Sequence, residues 1–528
     1  LHLLELATVL KYSLTLAGKT KTGMELKKSP RFGNIFTKPR NVIITAVILF
    51  LPLLFLGTRT SHDWGDDFAQ YIHQAGNIVN GIPQSETGFI YSQENYIGPQ
   101  AYPVGFPLLL APVYAIAGNT MFAFTTFISL IYIILGLLMV IFYRQYFSWI
   151  SALVLAMIFL YNPQMIIFKR EVMSDLPFTA LLVLNFILYQ KSKTGNLKQI
   201  ILLTGVTGFM LAIRPAGIVF VAAIVMEQLI LVLRRKIQIK DFAIYAGSFI
   251  LIPVLIYFII NSLIFKIPSG GSIRDYLMFY YSGDFIQIIP LNFTHHLEVF
   301  RYLYVPETGV FKGFSLLLGS IVLAMTLLGF VKRMLKGAEA TEWFFIFYVI
   351  MLLVFPNNFS AYRLMVPLGF IFLFYAAEGL KNIELLQRIP ACKKAAAIGV
   401  MVILLFVPGL ISIARSGSNI LSGPQQESSV EAFSYISKNI PAESVVVFAK
   451  PRALALYAGC KSMADPFTND PTRIHKQVTE AGSTHLLIHK TLTGEPMQRY
   501  ARVMQSRLTK LWENKEFVLY RINPVINP

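Results

Sequence analysis

Asp66 and Asp67 stand side by side in SHDWGDDFAQYIHQAGNIVNG (61–81), and Glu171 and Asp175 share the stretch KREVMSDLPF (169–178). A carboxylate held beside a substrate hydroxyl can take its proton, which is general-base chemistry. The second stretch also carries Lys169 and Arg170. Two further arginines stand in apolar surroundings, Arg214 in AIRPAG and Arg363 in NNFSAYRLMVPL. Guanidinium groups match phosphate oxygens bidentately, so these cations suit an anionic lipid phosphate. Each residue also has a plainer role. Asp66 and Asp67 can cap the helix that follows and complement its dipole. Ser174 and Asp175 can cap a helix with Pro177 in its first turn, and an arginine at a span end can snorkel to head groups. Taken together, the set shifts the balance toward a site.

Other candidates are weaker. His295 and His296 precede Glu298, but the spacing matches no strong zinc pattern. His73 falls within an amphipathic stretch and suits interfacial packing, and Glu227 lies within a span, in reach of Arg234 or the interface. Asp66, Glu171 and Asp175 offer the oxygen donors a divalent cation takes, so metal dependence stays open.

These residues have to be positioned by membrane helices. The 528 residues are 55% hydrophobic and only 14% charged, against about 25% charged in soluble domains, and the mean hydropathy is +0.58. Apolar runs recur at about 18–20 residues, enough to cross a hydrocarbon core of about 30 Å. Lipid offers the backbone no hydrogen bonds, so the runs must be helices. The reading is an all-α polytopic bundle of about 11 spans, at 41–58, 120–143, 149–167, 176–190, 198–213, 216–233, 242–262, 313–331, 341–356, 364–380 and 395–414. The net charge of +18 then follows from basic loops on the cytoplasmic side, such as Arg234, Arg235 and Lys236, rather than from nucleic-acid binding. Residues 102–118, with Pro103, Pro107 and Pro112, read as a re-entrant or interfacial helix.

Residues 1–40 are a cytoplasmic segment; Leu1 to Gly23 read as an upstream extension before Met24. Residues 41–414 form the membrane domain, with outer loops 59–119 and 263–312. Residues 415–528 form an extracytoplasmic α/β domain. In it Ser428 and Glu431 suggest a capping box opening a helix near 428–439. Strands are expected at 444–449, 484–489 and 517–522, and an amphipathic helix at 497–511. No catalytic motif stands in this tail, which reads as structural or acceptor-facing. Cys392 and Cys460 fall on opposite sides, so no disulfide is implied.

In order, GDDFAQYIHQAGNIVNG, YPVGFPLLLAPVYAIAG and EVMSDLPF resemble the polyprenyl-phosphate-dependent GT-C glycosyltransferases, in particular family 39, with its protein O-mannosyltransferases and lipid A aminoarabinose transferases. The likeness covers about residues 40–380; Val104 departs from the commoner second proline. The resemblance implies Asp66 as base toward the acceptor, with Asp67 its partner and Asp175 lining the same cavity, Glu171 beside it. Tyr102 also falls in the substrate cavity, and Arg214, Arg363, Lys169 and Arg170 are the candidates for the donor phosphate. The partners it implies are a polyprenyl-phosphate sugar, a hydroxyl-bearing acceptor and the bilayer, in a bacterial inner membrane. A transporter or flippase for a lipid-linked sugar is the rival reading, but no repeat links the two halves and the acids sit in outer loops rather than at mid-span. A non-catalytic membrane scaffold is the third.

Overall fold

The computed structural model describes residues 39–193, 197–267, 285–302, 312–355, 363–381, 399, 406–415 and 420–523. The N-terminal extension, Cys392 and most of the first half of the span expected at 395–414 lie outside these residues. The chain is an integral membrane protein. Among the described residues five helices are long and apolar enough to cross a bilayer, Met121–Arg144, Pro215–Leu233, Ile239–Ile264, Leu316–Gly337 and Arg363–Lys381, or six if the bent pair Trp149–Leu160 and Pro163–Lys169 is one span.

The helices begin with α1 (Pro39–Phe50), α2 (Asp67–Asn80), α3 (Gly105–Ala117) and α4 (Met121–Arg144), with strand β1 (Phe89–Ile90) between α2 and α3. The single span expected at 149–167 is broken into α5 (Trp149–Leu160) and α6 (Pro163–Lys169), bent by 66°. Pro163 supplies no N–H and biases Asn162 out of the helical region. Asn162 then caps α6 by accepting the Gln164 N–H at 2.9 Å. There follow α7 (Asp175–Ser192), α8 (Leu197–Ile213), α9 (Ile218–Leu233), α10 (Ile239–Phe258), α11 (Phe285–Tyr302), α12 (Lys312–Gly337), α13 (Ala340–Val354), α14 (Val366–Lys381) and α15 (Phe406–Arg415). Helix α4 packs on α5 and α7, α7 on α8, α8 on α10, α9 on α13 and α12 on α14. Glycines permit the last contact: a Cβ on Gly329 or Gly379 would meet the facing backbone at 1.9 or 2.1 Å.

Helix α3 has 13 residues, about 20 Å at 1.5 Å per residue, too short to cross alone. It docks on α8 at Gly105, where a Cβ would meet the Ala212 backbone at 2.6 Å. Asn261 accepts the Val104 N–H at 2.8 Å beside it. At the other end of the bundle from the acid pair, Glu227 is held by Lys193 at 2.8 Å and by the Ala340 N–H at 2.6 Å, not by Arg234. Arg333 donates to the fully buried Glu342 at 2.7 Å nearby.

The C-terminal region adds α16 (Glu427–Asn439), β2 (Val445–Val447), α17 (Pro451–Ala458), β3 (Lys461–Met463), α18 (Pro471–Glu480), β4 (Ser483–His489), α19 (Glu495–Val503), β5 (Leu508–Glu513) and β6 (Phe517–Ile522). The sheet runs β1-β3-β2-β4-β6-β5, parallel from β1 to β4. Two local expectations fail. The amphipathic helix ends at Val503, because residues 508–513 pair antiparallel with β6. Ser428 does not cap α16, which starts from Gln426; its hydroxyl donates instead to Glu516. More consequential is β1, which comes from the loop between α2 and α3 and forms an edge of this sheet, so the sheet draws on that loop as well as on the C-terminal region.

Candidate functional site

Helix α2 organises the site. Its inward polar side chains recur at helical spacing and hold the loop that follows. Gln70 donates to the Gln100 carbonyl at 2.6 Å, and Asn77 to the carbonyls of Pro83 and Glu86 at 3.0 Å each. Gln74 pairs with both backbone groups of Tyr102, at 3.0 and 2.9 Å. That pairing aims the Tyr102 hydroxyl back at the start of α2, where it donates to Asp67 Oδ1 at 2.5 Å. Tyr71 stacks on Tyr102 at 4.4 Å and reaches Ser174 Oγ at 3.2 Å, which ties α2 to the head of α7.

Four of the predicted residues form one chain of ion pairs. Arg363, in the turn before α14, donates from Nη1 to Asp67 Oδ2 at 2.7 Å and from Nε to Asp175 Oδ2 at 3.0 Å. Arg214, left extended where Pro215 ends α8, donates to Asp175 Oδ1. Asp175 is 1% exposed, so both of its oxygens require such partners.

Asp66 is placed differently. It occupies the N-cap position of α2, but its side chain makes no cap bond there. Its oxygens accept the N–H groups of Ala453 at 3.1 Å and Arg452 at 3.4 Å, at the N-terminus of α17. Asp66 therefore caps a helix, though not the one that follows it.

The tail supplies a residue that sequence reasoning missed. Arg452 donates from Nη1 to Asp67 Oδ1 and to the Tyr102 hydroxyl, both at 3.1 Å. Its only signal was the run KPRALALYA, which reads as an ordinary surface helix. The two acids are driven apart electrostatically. Burial raises the Asp66 carboxyl above the ordinary range, against the pull of Arg452, Lys450 and the Ala453 N–H. Burial acts on Asp67 too, but Arg363, Arg452 and the Tyr102 hydroxyl outweigh it and hold Asp67 at about 2.

The remaining candidates are spread out. Glu171 lies in the turn before α7, where burial and the nearby Asp63 charge push it up to about 7. Lys169 donates to Ser129 at 2.8 Å and Arg170 to the Ile413 carbonyl at 2.9 Å. Among the described residues no group of three or more His, Cys, Asp or Glu could hold a metal ion. Of the oxygen donors Asp66, Glu171 and Asp175, Asp66 accepts backbone N–H groups and Asp175 accepts from two guanidinium groups. His296 bonds the Leu352 carbonyl at 3.1 Å while Glu298 is exposed, so the His-His-x-Glu run converges on nothing.

This architecture, apolar helices joined to a small mixed sheet through an acidic loop, shares its fold with solved structures of ArnT and of an archaeal oligosaccharyltransferase. No protein-family model matches the chain, and no curated protein sequence matches it. Solved structures do. ArnT from Cupriavidus metallidurans bound to undecaprenyl phosphate is 10% identical, with 92% of this chain and 98% of that chain covered and a TM-score of 0.54. The archaeal oligosaccharyltransferase AglB from Archaeoglobus fulgidus, in complex with an inhibitory peptide and a dolichol-phosphate, is 11% identical, with coverage of 93% and 74% and a TM-score of 0.57. At such identities the likeness establishes the fold, and family 39 in particular is not singled out.

Proposed function

We propose that this chain is a membrane glycosyltransferase that moves a sugar from a polyprenyl-phosphate carrier to a hydroxyl acceptor on the extracytoplasmic face. The observation that carries this reading is the Asp67–Arg363–Asp175–Arg214 chain of ion pairs beside Asp66. It puts a base candidate next to guanidinium groups at one end of a lipid-embedded bundle. The fold is shared with proteins solved with undecaprenyl phosphate and a dolichol-phosphate, which agrees with a lipid-linked donor.

The chemistry is a single inverting displacement. Asp66 takes the acceptor's hydroxyl proton as its oxygen bonds to the anomeric carbon. The bond from that carbon to the phosphate oxygen breaks, and its electron pair leaves on the lipid phosphate. Arg363 spends Nε and Nη1 on carboxylates and Arg214 spends Nη1, so each guanidinium has further N–H groups for the phosphate. Their charge stabilises the negative charge that develops on the leaving group. One base suffices, with no covalent sugar intermediate and no second catalytic carboxylate.

Incubating the purified protein with defined polyprenyl-phosphate sugars and a panel of hydroxyl acceptors tests this. Release of lipid phosphate coupled to acceptor glycosylation is the expected result. Movement of lipid-linked sugar across liposome membranes without acceptor modification would support a flippase instead.

A further inference from the structure

The sequence reading left the tail without a part in the chemistry, yet its most buried cation faces the acid pair. The Arg452 side chain is 0% exposed. A fully buried guanidinium is costly unless it is paired and hydrogen-bonded. Its bonds run to Asp67 Oδ1, the Tyr102 hydroxyl and, from Nη2 at 2.8 Å, the Pro99 carbonyl. The rings of Phe89 and Tyr102 lie 4.8 and 5.2 Å from its Cζ, within cation–π range. Gly98 makes room for it: at φ +136° its backbone disfavours a side chain, and a Cβ there would meet Nη2 at 2.6 Å. The same helix offers its first N–H groups to Asp66. Arg452 thus enters from α17 and binds the partner acid and the tyrosine that orients it.

We infer that Arg452 is a positioning residue of the transfer site: it holds Asp67 and Tyr102 in register while its helix seats Asp66, so the C-terminal region completes the site. The inference rests on the transferase reading above. A mere tether between tail and membrane domain would have no reason to use the acid pair as its anchor. Misplacing a catalytic group by about 1 Å can cost about 100-fold in rate.

The test is steady-state transfer across pH by the full-length protein carrying Arg452→Gln or Arg452→Lys. The titratable groups facing Arg452 are the Asp66 and Asp67 carboxyls and the neutral Tyr102 hydroxyl, with Lys450 near Asp66 and Arg363 on Asp67. Loss of the Arg452 charge raises the carboxylates, so the acid limb of the kcat profile moves to higher pH. For Arg452→Gln, kcat falls about 10- to 100-fold while KM for the donor changes less than about twofold. Arg452→Lys keeps the charge but not the fork, so it restores the pH profile and only part of kcat. An Arg452→Gln protein with wild-type kcat and pH profile overturns the proposal. So does a loss of activity that follows the loss of folded protein at unchanged pH profile, and so does failure of both variants to fold. Wild-type protein inactive with every polyprenyl-phosphate donor would count against the transfer reading itself.

Discussion

The Asp66 carboxylate accepts the backbone N–H of Ala453 at 3.1 Å across 387 positions of sequence. The bond makes a catalytic candidate also the cap of a distant helix, and it separates the two parts of any Asp66 substitution. Asparagine keeps an oxygen for the Ala453 N–H and remains a good cap. It cannot take a proton from a hydroxyl. Asp66→Asn should therefore fold like the wild type, by size-exclusion profile and thermal unfolding, while kcat falls by about 10² to 10⁴. A fully active Asp66→Asn protein would remove Asp66 as the base.

Arg363 is the junction of the cluster, since one guanidinium serves Asp67 and the buried Asp175. Arg363→Met leaves Asp175 with Arg214 alone and strands one oxygen of Asp67. Breaking a buried pair by removing one partner costs about 3–5 kcal/mol; with Arg363 and Asp67 each 23% exposed, the lower end applies. Adding Asp175→Asn removes the uncompensated charge, so the double variant should be more stable than the sum of the singles. A double-mutant cycle read by thermal unfolding in detergent checks this. Strict additivity would mean the Arg363–Asp175 bond contributes nothing.

Asp67, Asp175, Arg214 and Arg363 were legible in the sequence because ionisable groups beside apolar runs are costly and have to be matched. Their convergence was not: Asp67 and Arg363 are 296 residues apart, and no periodicity links them. Lys169 and Arg170 show the limit of adjacency. Neighbours at a helix end point in different directions, and these two reach Ser129 and Ile413 rather than the acids. Arg452 and β1 escaped because each makes sense only across the boundary drawn at residue 415. A two-residue strand has no pattern of its own. The amphipathic run at 497–511 was misjudged beyond Val503 because strand pairing with β6 overrides local propensity.

Glu171 gives a pH signature in stability. Its folded pKa is raised from an ordinary 4.5 to about 7, so the folded state holds this proton more firmly than the unfolded chain. The contribution is fully present below about pH 4.5 and is lost as pH rises through about 7. Glu171→Gln stays neutral throughout. Between about pH 5 and about pH 8 the unfolding midpoint of the wild type should fall further than that of Glu171→Gln. Parallel curves for the two proteins would show that Glu171 titrates as an ordinary surface carboxyl.

Trp64 stands two residues before Asp66 and belongs to the core of the tail. It is 8% exposed and meets Phe433, Phe448, His489 and Phe517 edge-on at 5.7–6.3 Å. Its indole Nε1 is buried without a hydrogen-bond partner, so the ring acts here through its shape alone. Trp64→Ala opens a cavity and should cost about 3–5 kcal/mol. Because Gly65 is the only residue between this anchor and the acid pair, the same change should loosen Asp66 and lower kcat more than it raises KM. Trp64→Phe keeps most of the packed surface and loses no hydrogen bond, so it should restore both stability and kcat. Thermal unfolding and transfer kinetics on the two variants decide the matter. If Trp64→Ala lowers the unfolding midpoint but leaves kcat of the folded fraction untouched, the anchor serves the tail and not the site.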